Sequence, residues 1–393
     1  VSVGAADSAG SAVAGFWAWW PTVASRYAAV FDGGRENPAG GATAAACLTP
    51  DQIGSVLTEK VHAIDPGLVW EFGPGIEGAR HCLMVTAGGV PELRPAARRW
   101  LNAAPAPDAA WSFVDMRLAQ PGAVLEWEGL SYGPADCRIG VRAGHSIVHV
   151  TLWHPNWGSA KTSALRSGLF GGRGAAAGTA PDMQVAFLML DAALGEEAVS
   201  TWLGQIEVTD RCPENAVSMD ELRSLVAGMA AEAVDPDGNP VWTVLRFESD
   251  GAPGVVRTIV PATPMLAPTC DRRVEVELHI DPLAASDLTG AQVLDRVTAL
   301  EDALDSTVSE NSAGLLVAVV THGGTVTMHL YLDSGAGVPG AVGGVGGAGL
   351  SDPGHADAVV NTLRAVASTW DLGEVVFSSE QDPSWEAVRG FWV

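Results

Sequence analysis

Three short stretches carry residue types at spacings that chemistry can use. Gly73-Pro74-Gly75-Ile76-Glu77-Gly78 matches the glycine pattern of a dinucleotide loop. Such a loop works where a helix N-terminus follows, because free backbone N–H groups must meet the pyrophosphate. Here a strand beginning near His81 follows, so the segment reads as a hairpin connection. Gly129-Leu130-Ser131-Tyr132-Gly133 matches the nucleophile-elbow pattern, which needs a strand before the serine and a helix after it. Pro134, Ala135 and Asp136 lead into another strand instead, which argues against a hydrolase. His145, His149 and His154 would converge on a metal if they lay on a helix. The β-branched residues between them indicate a strand, where His145 and His149 stand about 13 Å apart at roughly 3.3 Å per residue. Asp281, Asp287, Asp295, Asp302 and Asp305 lack the glycine and spacing of a calcium loop and read as a solvated face. These stretches give no catalytic residue, no metal site and no cofactor.

A sharper candidate comes from alternation. In Arg273–Asp281, Val274, Val276, Leu278 and Ile280 alternate with Arg273, Glu275, Glu277 and His279. In 325–332, Val326, Met328, Leu330 and Leu332 alternate with Thr327, His329 and Tyr331. A period of two marks half-buried strands. If the two strands are neighbours, Glu275, Glu277, His279, Thr327, His329 and Tyr331 form one titratable patch facing away from the core. Such a patch suits a ligand or a basic partner and makes binding pH-sensitive. Its two glutamates make the RNA-binding use of such a face unfavourable.

The elements that must position these residues follow from the same patterns. Ala291–Val308 places Val293, Val297, Leu300, Leu304 and Val308 on one helical stripe. Leu315–Thr321 reads as a buried strand, and His322-Gly323-Gly324 as the turn of a hairpin. After the Gly-rich 334–354, which reads as a mobile loop, come a helix over Ala356–Trp370 and a strand over 374–379. The order is β-α-β-β-α-β, a ferredoxin-like sandwich, preceded by a hairpin over 242–260. Further upstream, helix 51–64, strands 68–72 and 81–87, helix 93–103 and strand 111–117 give α-β-β-α-β. That order allows an internal repeat of the later unit lacking its first strand. Strands are expected at 123–128, 137–142, 147–152, 183–190 and 205–209, with a short helix at 198–203. Ser218 and Glu221 form a capping box that starts a further helix. The run Asp235-Pro236-Asp237-Gly238-Asn239-Pro240 breaks the chain. The resulting division is a flexible N-terminus over 1–15, an α+β domain over 16–235 with a largely antiparallel sheet, a linker over 236–241, and a ferredoxin-like domain over 242–393. Phe16-Trp17-Ala18-Trp19-Trp20 is expected to begin a helix and to serve the core.

Charge is the strongest global signal. Forty-six acidic residues stand against 22 basic ones, a formal net charge of -24. A polyanion repels phosphate, which excludes nucleic acid in the absence of a basic patch, and it suits a basic protein partner. No apolar run approaches the roughly 20 residues that span a bilayer, so no membrane partner is expected. Five widely spaced cysteines without a C-x-x-C pair indicate reduced thiols and a cytoplasmic setting. Composition leaves the oligomeric state unspecified.

Leu300-Glu301-Asp302-Ala303-Leu304, Val319-Val320-Thr321-His322-Gly323-Gly324, Tyr331 and Asp382-Pro383-Ser384-Trp385 stand in one order. In these motifs the C-terminal domain resembles the bacterial domain-of-unknown-function family 695, from about Pro282 to the end. The sequence departs from that family in its long Gly-rich insert after Tyr331. The domain is more distantly similar to the B-type regulator of ribonuclease E. The second likeness implies an acidic regulator that binds protein; the first brings no activity. The expectation is therefore a non-enzymatic binding or regulatory module. The rivals are an enzyme or small-molecule binder with a pocket between the two domains, and a structural or assembly protein.

Overall fold

The computed structural model describes residues 3–33, 50–127, 129–144, 146–157, 181–311, 313–335 and 353–392. The Gly-rich stretches, His145 and Cys47 lie outside them or mostly so. The protein is α+β, and one compact unit ends at Arg117 where a second begins at Leu118.

The first unit contains α1 (Val3–Trp19), α2 (Ala24–Asp32), α3 (Pro50–His62), β1 (Val69–Pro74), β2 (His81–Thr86), α4 (Arg94–Asn102) and β3 (Trp111–Val114). Its sheet order is β1-β2-β3, with β1 antiparallel and β3 parallel to β2. Most of the stretch read as a flexible N-terminus is therefore helical, and the aromatic run closes a helix where it was expected to open one. Small residues hid this helix, because Ala and Gly carry no apolar stripe. Phe16 and Trp20 do enter the core, beside Trp100, Trp111 and Tyr27. Trp17 stacks on Trp100 at 5.0 Å and donates its indole N–H to the Trp100 carbonyl.

The second unit opens with a small hairpin, β4 (Leu125–Trp127) and β5 (Leu130–Tyr132). It continues with β6 (Arg138–Ala143), β7 (Val148–Trp153), α5 (Pro181–Leu194), α6 (Glu196–Trp202), β8 (Leu203–Val208) and α7 (Met219–Glu232). The stretch expected as a strand over 183–190 is part of α5. Its unbroken apolar run gives no period, and the buried set Val185, Ala186, Met189, Leu190 and Ala193 follows helical spacing. The sheet order β6-β7-β8 combines one antiparallel and one parallel pairing. The strand pairing of the first unit is repeated, with two helices in place of one before the third strand. The capping box at Ser218 is closed in both directions: Glu221 Oε2 accepts the Ser218 N–H at 2.7 Å, and Ser218 Oγ accepts the Glu221 N–H at 3.3 Å. Such a cap contributes about 1 kcal/mol.

The break at 236–241 is a tight turn inside this unit. Asp235 Oδ1 accepts the N–H groups of Asp237 and Asn239 at 2.9 and 2.8 Å, and Val234 bridges to Pro240. The N–H of Asn239 first of all holds the Asp235 carboxyl below its ordinary pKa. Beyond the turn, Val260 packs against the core of the β6–β8 layer, which ties the two expected domains together.

The last part contains β9 (Val241–Ser249), β10 (Ala252–Val260), β11 (Cys270–His279), α8 (Gly290–Glu310), β12 (Gly314–His322), β13 (Thr325–Asp333), α9 (Pro353–Ala367) and β14 (Val375–Gln381). A 3-10 turn follows over Glu386–Trp392. The sheet order is β14-β11-β13-β12-β10-β9, antiparallel throughout. Within the β-α-β-β-α-β unit the spatial order is fourth, first, third, second, as a ferredoxin-like sandwich requires. The β9–β10 hairpin extends it at the β12 edge. Val274, Val276 and Leu278 of β11 and Val326, Met328 and Leu330 of β13 meet the stripes of α8 and α9 in one core.

Candidate functional site

The six residues of the expected polar patch do lie on neighbouring strands. Glu275 pairs with His329, Glu277 with Thr327, and Arg273 with Tyr331. Alternation alone makes this face polar, yet the chain sorts it into two environments. At one end, Glu277 and His279 remain partly exposed and in contact, 2.8 Å between Oε1 and Nε2, with Thr327 beside them. At the other end, Tyr331 is fully buried and His329 is 6% exposed.

The burial comes from the tail after β14. Trp385 stacks on Tyr331 at 4.3 Å and donates its indole N–H to the Cys270 carbonyl at 2.7 Å. Asp382 accepts the Tyr331 hydroxyl at 2.7 Å, the Glu386 N–H at 2.8 Å and the Ala387 N–H at 3.2 Å. Trp385 takes a left-handed φ of 55°, uncommon for a bulky residue and sustained here by the packing around it. The Asp382–Trp385 motif is thus a latch that turns half of the polar face into a second core with Ile259, Val317 and Val388. Trp385 thereby covers the face of the sheet and not its edge.

Burial lowers the His329 pKa to about 4, helped by the charge of Arg273 and opposed by Asp382. The ring is therefore neutral at pH 7, and its 3.5 Å approach to Glu275 is not an ion pair there. Arg273 satisfies Glu275 at 2.8 Å and Glu380 at 2.5 Å. Burial first, and then the hydrogen bond to Asp382, raise the Tyr331 pKa. These groups are built as core, and only the Glu277–His279 end faces solvent.

Two other features emerge from the fold. A trough of about 650 Å³ lies over β6, β7 and β8. Its floor shows Gly140, Arg142, His149, Thr151, Gln205 and Glu207, and the loop after β8 forms its wall with Arg211, Cys212 and Glu214. The second feature is a groove of about 250 Å³ between β9 and α8, lined by Trp242, Val244, Arg257, Glu301, Asp302 and Asp305 among others. Trp242 is 43% and Val244 56% exposed, although both sit on a strand. Arg257 pairs with Glu301 and lies 5.9 Å from the Trp242 ring.

The short motifs fall into place. The 73–78 glycines join β1 to β2, an antiparallel pair. Ser131 is exposed within β5, and β6 follows it with no helix between. His149 faces the trough, whereas His154 is buried with its ring 4.9 Å from Tyr132. Among the described residues no group of His, Cys, Asp and Glu could hold a metal ion, and no helix is long and apolar enough to cross a membrane. Burial pushes the Cys137 thiol up to about 12, and Cys82 is also raised by burial. Among the described cysteines Cys212 is the exposed one. The trough had a partial signal, since His149 and Thr151 alternate with Val148, Val150 and Leu152. The groove had none, because it needs the β9–β10 hairpin beside α8.

Comparisons with protein-family models, curated proteins and solved structures found no match for this chain.

Proposed function

We propose that this protein is a non-enzymatic binding module whose partner is a basic segment of another protein, and that the groove between β9 and α8 receives it. The observation that carries this reading is the juxtaposition of exposed Trp242 and Val244 with Asp302 and Asp305. Neither aspartate has an ion-pair partner among the described residues. An aromatic side chain beside open carboxylates fits an arginine or lysine: the ring packs on the stem and the acids meet the charge. The net charge of -24 adds long-range attraction. The acidic regulator implied by the distant likeness to the B-type regulator of ribonuclease E points the same way.

The test is a pull-down with the wild-type protein and the Trp242→Ala and Asp302→Asn/Asp305→Asn variants, at low and high salt. A true partner is recovered by the wild type at low salt, lost at high salt, and lost by both variants. Equal recovery by all three proteins, or none by the wild type at either salt, overturns the proposal.

A further inference from the structure

We infer that the trough over β6, β7 and β8 is a separate binding site for a small organic anion, a carboxylate or a phosphate ester. The argument begins with charge. Acids outnumber bases 46 to 22, so most arginines in the described structure find a carboxylate. Arg26, Arg138, Arg142, Arg211, Arg246 and Arg364 have none among the described residues, and of these Arg142 and Arg211 line the trough. Two such guanidiniums thus share one trough, beside the carboxylates of Glu207 and Glu214. Guanidinium binds carboxylate and phosphate through paired hydrogen bonds. Of the two glutamates, Glu207 is engaged by the Gln205 side-chain amide at 2.6 Å.

The floor is also shaped. A bulge in the β7–β8 pairing lies between Val148 and Val150. It takes the Gln205 N–H out of the ladder, and the Nδ1 of His149 accepts it at 3.0 Å. In the neutral ring the proton then sits on Nε2, which leaves a donor. Gly204 permits this placement: a Cβ there would stand 3.0 Å from the His149 ring. Gly140 plays the same part for the wall, since a Cβ there would stand 3.1 Å from Pro213. Arg142 is the cross-strand partner of His149, so guanidinium and imidazole are neighbours on one surface. Thr151 and Gln205 supply uncharged hydrogen-bonding groups for the rest of the ligand. A volume of about 650 Å³ suits a small metabolite.

The experiment uses the full chain with inorganic phosphate and succinate as probes and chloride at matched ionic strength as reference. Affinity is read by calorimetry, and trough occupancy by the alkylation rate of Cys212, the exposed thiol on the wall. The expected result is saturable binding of at least one probe with a Kd of roughly millimolar or below, and slower Cys212 alkylation in its presence. Arg142→Gln/Arg211→Gln should weaken that binding about tenfold or more, one lost charged contact being worth at least that. Arg246→Gln on β9, outside the trough, should leave it unchanged. A response to phosphate alone assigns a phosphate ester, and a response to succinate alone a carboxylate. Binding of neither probe beyond chloride overturns the inference. So does binding that survives the double variant, or binding that leaves Cys212 alkylation unaltered.

Discussion

The face of β11 and β13 that looks away from α8 and α9 carries alternating polar side chains. So does the face of β6, β7 and β8 that looks away from α5 and α7. Both are the uncovered side of a sheet whose other side meets helices. The first is half closed by the latched tail, and its tyrosine and histidine become core. The second has no such cover among the described residues and keeps its arginines, histidine and glutamate along an open trough. The difference teaches that polarity on an outer sheet face does not by itself mark a site. What decides is whether a later segment brings apolar area and hydrogen-bond partners to that face. Asp382 and Trp385 bring both to Tyr331, whereas Arg142 has no carboxylate partner among the described residues.

The comparison can be broken at several points. Trp385→Ala removes the stack on Tyr331 and the bond to Cys270, and should cost about 3–5 kcal/mol in urea unfolding. A loss below about 1 kcal/mol would show that the tail is not part of the core. The next largest effect is a pH dependence. His329 is held at about 4 in the folded protein, against an ordinary value near 6.5 in the unfolded chain. The unfolded state therefore takes up the proton first as pH falls. This contribution to stability is fully present above about pH 6.5 and is lost between there and about pH 4, an amount of about 3 kcal/mol. His329→Gln should flatten that segment of the stability curve, and an unchanged slope would count against a buried neutral ring.

Smaller effects sharpen the contrast. Tyr331→Phe leaves Asp382 with two backbone donors and should cost about 1.5–3 kcal/mol, the range for a hydrogen bond to a charged group. Arg142→Gln in the trough should change stability by less than about 0.5 kcal/mol, because an exposed side chain with no partner among the described residues supports little of the fold. A loss above about 1.5 kcal/mol there would make the trough floor structural and remove the contrast between the two faces.

Much of the fold was legible because local patterns and tertiary roles agree. The period of two in β11 and β13, the stripe of α8 and the capping box of α7 each correspond to an observed element at nearly the expected bounds. Elements were missed where local pattern is silent. The Ala- and Gly-rich α1 has no stripe, and the unbroken apolar run 185–190 within α5 has no period. The candidate site was legible only as a register: Glu275 does oppose His329 and Glu277 does oppose Thr327. Its exposure was not legible, since burial of His329 and Tyr331 depends on residues some fifty positions later.

The sequence by itself determined the α+β class, the β-α-β-β-α-β order of the last third and the acidic field of the whole chain. Periodicity, turn residues and net charge are local or additive properties, so they can be read without coordinates. Only the tertiary structure decided which polar residues meet solvent. Burial and partner choice belong to pairs of segments far apart in the chain, and a residue's own neighbours in sequence say little about them. The latch over Tyr331 and the open arginines of the β6–β8 trough are two results of that same rule.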